Sequence, residues 1–330
     1  MSGPHGISRR GFVAAGASAV AGLAFGGGEA FPMPAAPLDR VRAASRLILL
    51  GTAGGPLPRP NRSAPAQAIV VGDTTWIVDC GNGVARQMAA AGIPLGSIRG
   101  VFITHHHSDH NADYGTLLLL AWATGLSARV DTYGPPPLAE MTRHFLAMSE
   151  SDIQARIAEA RRPPLAPLIA PHEIGAGSAG GVINVAVYEE AGVRVTATRV
   201  EHPPLATALA YRFDCPDRSI VISGDTRPSP ALVELARGAD VLVHEVMYLP
   251  GIERLVAASP NARTLREHLV ASHTSCEDVG RVATEAGVKT LVLSHFVPGG
   301  PPAIPDETWR DAVRPHFKGE IVVGRDLMVI

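Results

Sequence analysis

Short apolar runs bounded by Gly, Pro or Asp alternate with stretches of helical period along most of the chain. Leu47–Leu50 reads as a short strand running into Gly51-Thr52-Ala53-Gly54-Gly55, and Pro56 to Pro65 is a Pro-rich loop. Ala68–Val71 and Thr75–Val78 flank Gly72-Asp73, which predicts a hairpin. Asp79-Cys80-Gly81-Asn82-Gly83 turns into a helix near Val84–Ala91, Gly100–Thr104 is a buried strand, and Asp113–Thr124 has helical period. Further strands are expected near Val193–Val200, Ala208–Phe213, Ser219–Ser223, Val241–Val243 and Thr290–Leu293, with helices at Pro230–Arg237 and Glu277–Ala286. Gly319–Ile330 reads as a closing hairpin. Two strand-rich halves with helices between them suit an α/β architecture of two packed sheets covered by helices.

Two stretches differ in texture. Residues 131–180 hold Pro135-Pro136-Pro137, a charged helical run near Glu140–Arg161, Pro163-Pro164 and a Gly/Ala/Ser patch. They are expected to form a helical insertion and, with Trp122, a substrate wall. At the N-terminus, Arg9-Arg10 precedes Phe12 and an apolar stretch from Val13 to Phe25, too short for a comfortable membrane span. Residues 1–36 are therefore expected to be a leader, similar to a twin-arginine signal peptide, and 37–330 a single domain in the periplasm without a stable membrane span.

Charge then narrows the partners. The chain has 330 residues, a net charge of −2 and 5% aromatics, with no Lys/Arg-rich run. A polyanion-binding protein usually shows a basic stripe, so nucleic acid is not expected as a partner. Cys80, Cys215 and Cys276 are far apart and make neither a disulfide framework nor a thiolate metal site.

Chemistry concentrates in Thr104-His105-His106-His107-Ser108-Asp109-His110, just after a buried strand. Alternation lets His105 and His107 point the same way and turns His106 aside, while Asp109 and His110 open the next helix. Imidazoles and a carboxylate at this density suit zinc, and would be expensive to bury without a cation.

The pattern His105-x-His107-x-Asp109-His110 resembles the signature of the metallo-β-lactamase superfamily, and the rest of that pattern follows in chain order. Val200-Glu201-His202, Gly224-Asp225-Thr226 and Ser294-His295 each follow an apolar strand. The resemblance covers the chain from about Leu47 onward and implies an αββα sandwich. It implies one Zn²⁺ on His105, His107 and His202, a second on Asp109, His110 and His295, and Asp225 bridging, other divalent metals being alternatives. His172 is the runner-up for His202.

Val243-His244-Glu245 and His273-Thr274-Ser275 resemble the His-Glu and His-Ser/Thr motifs of the ribonuclease Z-like branch. There His273 would protonate the leaving group and Glu245 would orient it, while Asp109 would orient the attacking hydroxide. Ribonuclease Z enzymes that clamp transfer RNA carry a long arm between the equivalents of His202 and Asp225; only 22 residues lie between them here. With near-neutral charge and an export leader, this leads to the expectation of a hydrolase of small sulfate or phosphate esters, arylsulfatase-like, compatible with a homodimer. The alternatives are a lactone, ester or β-lactam hydrolase, or a metal or cofactor carrier that turns nothing over.

Overall fold

Two seven-stranded sheets pack face to face through a layer of apolar side chains. The computed structural model describes residues 44–175, 184–258, 262–300 and 303–330. The leader reading therefore lies outside the described residues. In chain order the strands are β1 (Arg46–Gly51), β2 (Ala66–Val71), β3 (Thr74–Val78), β4 (Ile98–Phe102), β5 (Val130–Gly134), β6 (Ile169–Glu173), β7 (Val185–Glu190), β8 (Val193–Val200), β9 (Ala208–Asp214), β10 (Ser219–Ile222), β11 (Val241–Met247), β12 (Thr290–Val297), β13 (Glu320–Val323) and β14 (Met328–Val329). The helices are α1 (Val84–Ala90), α2 (Ser108–Asn111), α3 (Tyr114–Ala123), α4 (Leu138–Met148), α5 (Glu150–Ala160), α6 (Pro230–Leu235), α7 (Leu249–Ala257), α8 (Ala262–Ser272), α9 (Cys276–Ala286) and α10 (Asp306–Val313).

The first sheet runs β14-β1-β2-β3-β4-β5-β6 and the second β13-β12-β11-β10-β9-β8-β7. Leu47, Leu49, Trp76 and Phe102 of the first meet Val195, Phe213, Ile222 and Val243 of the second in the central core. The opposite faces are covered by helices: α1 and α3 pack on the first sheet, and α6, α9 and α10 on the second. The αββα sandwich expected above is therefore the observed fold. Strands buried on both faces need continuous apolar sequence, which is why β10 and most of β11 and β12 lack alternation.

β3 to β6 are parallel, as are β10 to β13, so each half-sheet presents several carboxyl ends on one rim. Side chains leaving those ends converge there, the usual place for a site in such sheets.

Two sequence expectations need correction. Residues 131–180 are not a purely helical insertion: α4 and α5 form the crossover between β5 and β6, which pair along Val130–Gly134 and Ile169–Glu173. Both strands are short and Pro-flanked, which hid them. Gly319–Ile330 is not a hairpin either, since β13 pairs with β12 while β14 crosses to pair with β1. Among the described residues no helix is long and apolar enough to cross a membrane.

Candidate metal centre

The loop after β4 delivers the first group. Thr104 is buried and donates its backbone N–H (2.8 Å) and its hydroxyl (2.9 Å) to the two carboxylate oxygens of Asp79, at the end of β3. This pins the start of the histidine loop. His105 Nε2 then lies 3.1 Å from His107 Nδ1, which lies 3.1 Å from His202 Nε2, brought in after β8. His106 turns away, its Nε2 2.7 Å from the Pro135 carbonyl, as strand alternation requires.

The second group forms alongside. Asp109 Oδ2 is 3.6 Å from His110 Nε2 and 3.4 Å from His295 Nε2. Asp225 stands between the groups: Oδ1 is 3.4 Å from His110 Nε2, and Oδ2 is 3.2 Å from His295, 3.8 Å from His202 and 3.9 Å from His105. The turn that places Asp225 needs glycine before it. Gly224 has φ +58°, and a Cβ there would approach the Leu209 carbonyl oxygen to 2.8 Å and Thr104 Cβ to 2.9 Å. His295 depends on a bulge. Glu245 pairs with Ser294 and Val246 with Phe296, so His295 is the extra residue of β12, with φ +46°. Bulges re-aim side chains in this way.

These separations fit metal ions. Donors about 2.0–2.1 Å from a shared ion stand about 3.3 Å apart at tetrahedral angles. His110 Nε2 and Asp225 Oδ1 are buried without a hydrogen-bond partner, and both face the cluster. Several ring nitrogens are fixed on their far side: His202 Nδ1 donates to the Ser272 carbonyl (2.8 Å), and His110 Nδ1 meets Asp79 at 2.7 Å. That leaves each Nε2 lone pair aimed inward. The site therefore carries His/Asp groups able to hold metal.

Electrostatics agree with that use. Burial alone would push Asp225 up, but His295 and His110 outweigh it and hold its carboxyl well below the usual carboxylate range. Burial likewise opposes ionisation of Asp109, and the contact with His295 brings it down to about 2. His105 is held well below its ordinary value by burial and by neighbouring His110, so it stays neutral, the form that ligates.

His273 and Glu245 face the same centre. The His273 ring centroid lies 5.1 Å from that of His202 and 5.7 Å from that of His295. Its Nδ1 is 3.3 Å from Glu245 Oε1. Burial disfavours the imidazolium, but Glu245 outweighs it and His273 is raised to about 9. Glu245 Oε1 also accepts from the backbone N–H of Thr274 (2.9 Å) and Thr226 (3.3 Å). One carboxylate thus ties the loop of Asp225 to that of His273. His172 lies elsewhere, stacked on Tyr133 with Nε2 2.7 Å from Asp131.

A cavity of about 720 Å³ opens over the cluster. Its outer wall is the loop Gly54–Arg59 with Leu255, Leu265 and Leu269 of α7 and α8. The substrate wall expected from residues 131–180 and Trp122 is thus misplaced: Trp122 is fully buried and donates to the Pro163 carbonyl at 2.9 Å. Sequence reading missed Asp79, Arg59 and the α7–α8 pair; the signal available was the apolar spacing Ile252-x-x-Leu255 and Leu265-x-x-x-Leu269.

Comparison with known proteins adds the family. Residues 74–296 match the model of the β-lactamase superfamily domain. Ribonuclease Z of Mycobacterium bovis (strain BCG / Pasteur 1173P2) is 34% identical over 284 residues, covering 85% of this chain and 96% of that protein. Ribonuclease Z of Mycobacterium sp. (strain KMS) is 36% identical over 283 residues, covering 85% and 94%. Among solved structures, human tRNase Z, short form, superposes with a TM-score of 0.63 at 22% identity, over 86% of this chain and 98% of that one. A metallo-β-lactamase fold protein from Bacillus subtilis gives 0.61 at 20%, over 87% and 98%.

These relatives overturn the expectation of a small sulfate- or phosphate-ester substrate and of no nucleic-acid partner. The absent arm carried that expectation, and it does not discriminate. The stretch from His202 to Asp225 indeed holds little more than β9 and β10. Yet the chain matches ribonuclease Z relatives over 94–96% of their own length at 34–36% identity, so a short stretch at this one place does not set it apart from them. Net charge misled for a related reason: it averages the whole chain, whereas Arg59 and Arg254 stand at the cavity itself.

Proposed function

The chain belongs to the β-lactamase superfamily and is a metal-dependent hydrolase of ester bonds, and we propose that the ester it cleaves is the phosphodiester of RNA, at a pair of zinc ions. The observation carrying this reading is that His107, Asp109, His202, Asp225 and His295 of the seven-residue His/Asp cluster, with His273, line one cavity, in a chain 34–36% identical to ribonuclease Z enzymes. His105, His107 and His202 would hold one zinc, Asp109, His110 and His295 the other, and Asp225 both. Such a pair lowers the pKa of water toward neutrality and neutralises charge on phosphoryl oxygens.

The chain's own groups then have separate tasks. Asp109, its second oxygen free of His295, would orient the attacking water. His273, its Nδ1 turned to Glu245, would deliver a proton to the leaving oxygen as the bond from that oxygen to phosphorus breaks. Arg59 and Arg254 would meet flanking phosphates, and the leucines of α7 and α8 offer a nonpolar surface to a base.

The test is cleavage of end-labelled RNA, including a transfer-RNA precursor, by zinc-replete protein, with matched DNA as control. Metal-dependent cuts at defined positions are expected; no cleavage of any RNA would remove the reading.

The N-terminal reading is a separate proposal. Residues 1–36 would carry the folded domain, 37–330, to the periplasm, so its RNA would be met outside the cytoplasm. Replacing Arg9 and Arg10 with lysine should trap the precursor in the cytoplasm; unchanged periplasmic protein would count against export.

A further inference from the structure

Behind the cluster, where the two sheets meet, lies a small space of about 20 Å³ bordered by Gln67, Glu245 and Ser294 together with Asp225, His110 and His295. His107, His202 and His273, which line the substrate cavity, do not border it; Asp225 and His295 border both. Three buried polar atoms on its walls have no hydrogen-bond partner within the protein: Gln67 Oε1, Glu245 Oε2 and Ser294 Oγ. The three residues are only 3–4% exposed. Glu245 and Ser294 are register partners on adjacent parallel strands, so their side chains leave the sheet side by side. Gln67 comes from β2, in the opposite sheet.

Buried polar groups are rarely left unsatisfied, and a space of about 10–15 Å³ holds one water. The three groups match one water in kind. A water donates two hydrogen bonds, which the Glu245 carboxylate and the Gln67 amide oxygen can accept, and it accepts the hydroxyl of Ser294. We propose that this space is the site of a single bound water, and that Gln67 and Ser294 are positioning residues that act through it on Glu245. The other oxygen of Glu245 holds the backbone of Thr226 and Thr274, next to Asp225 and His273. Fixing the rotation of that carboxylate fixes the spacing between those two loops. The effect on turnover rests on the RNA-hydrolase reading; the water itself does not.

A high-resolution crystal structure of the zinc-loaded protein should show one ordered solvent peak within hydrogen-bond distance of all three atoms. An empty space, or direct contact among the three groups, would overturn the proposal. Ser294→Val should fill the space, remove the peak and lower kcat on RNA about ten-fold, with KM and zinc content unchanged, while Ser294→Thr should retain both peak and rate. If Ser294→Val does not fold, Gln67→Met removes one acceptor at similar volume and should lower kcat in the same way. Full kcat in a folded variant that lacks the peak would end the positioning role. A peak in a protein that cleaves no RNA would instead leave the water standing and remove only the functional reading.

Discussion

Asp79 and His110 meet at 2.7 Å, the carboxylate of one strand end gripping the far nitrogen of an imidazole whose near nitrogen faces the metal centre. The same carboxylate holds Thr104, so it fixes both the ring and the loop that carries it. Partners of this kind typically change metal affinity or activity 10–100-fold when removed. Asp79→Asn is therefore expected to weaken zinc binding by about that factor, as read by chelator competition. Unchanged affinity would reduce Asp79 to a cap on the Thr104 turn.

Ligand and acid should separate by mutation. Elemental analysis of the purified chain is expected to give about two zinc per chain, the arrangement of paired sites. His202→Ala should lose metal and activity together. His273→Ala should keep its zinc but lose about 10²–10⁴-fold in kcat on RNA. The loss should shrink on a nitrophenyl phosphodiester probe, whose leaving oxygen needs little protonation. Zinc loss in His273→Ala would make that residue a ligand, which its place beside His202 and Asp225 makes worth testing.

Arg59 borders the cavity with Nε buried and unpartnered, while one terminal nitrogen donates to the Gly54 carbonyl at 3.3 Å. A guanidinium left this free suits a phosphate. Arg59→Ala should weaken RNA binding and reduce the slope of log affinity against log salt by about 1. An identical slope in variant and parent would place the RNA elsewhere.

Away from the site, Asp240 accepts from Lys289 Nζ at 2.6 Å and from the backbone N–H and hydroxyl of Ser219 at 2.8 and 3.0 Å. The Lys289 contact first, then Ser219, lowers its carboxyl to about 2. An unfolded aspartate titrates near 3.9, so this stabilisation is complete above about pH 4 and is lost as pH falls toward 2. The urea midpoint of Asp240→Asn should therefore fall less steeply than that of the parent between those values. Parallel curves would show the contact contributes nothing to stability.

Much of the candidate site was legible because it is written locally. In His105-x-His107-x-Asp109-His110, strand alternation and the first turn of a helix set which way each side chain points, whatever the rest of the chain does. Two strand-rich halves with helices between them announced the layered fold. The α7–α8 wall was not legible, because an amphipathic helix shows that it has an apolar face but not what that face meets.

The sequence by itself determined the ordered set of strand-end histidines and aspartates and the alternation of strands and helices, since both follow from backbone period over a few residues. Only the tertiary structure decided that β13 and β14 part into different sheets, that a bulge turns His295 inward, and that Asp79 backs His110 across 31 residues of chain. It also brought Gln67 of one sheet to the border of the same small space as Glu245 and Ser294 of the other. Those relations depend on register and on packing between distant segments, which no local pattern encodes.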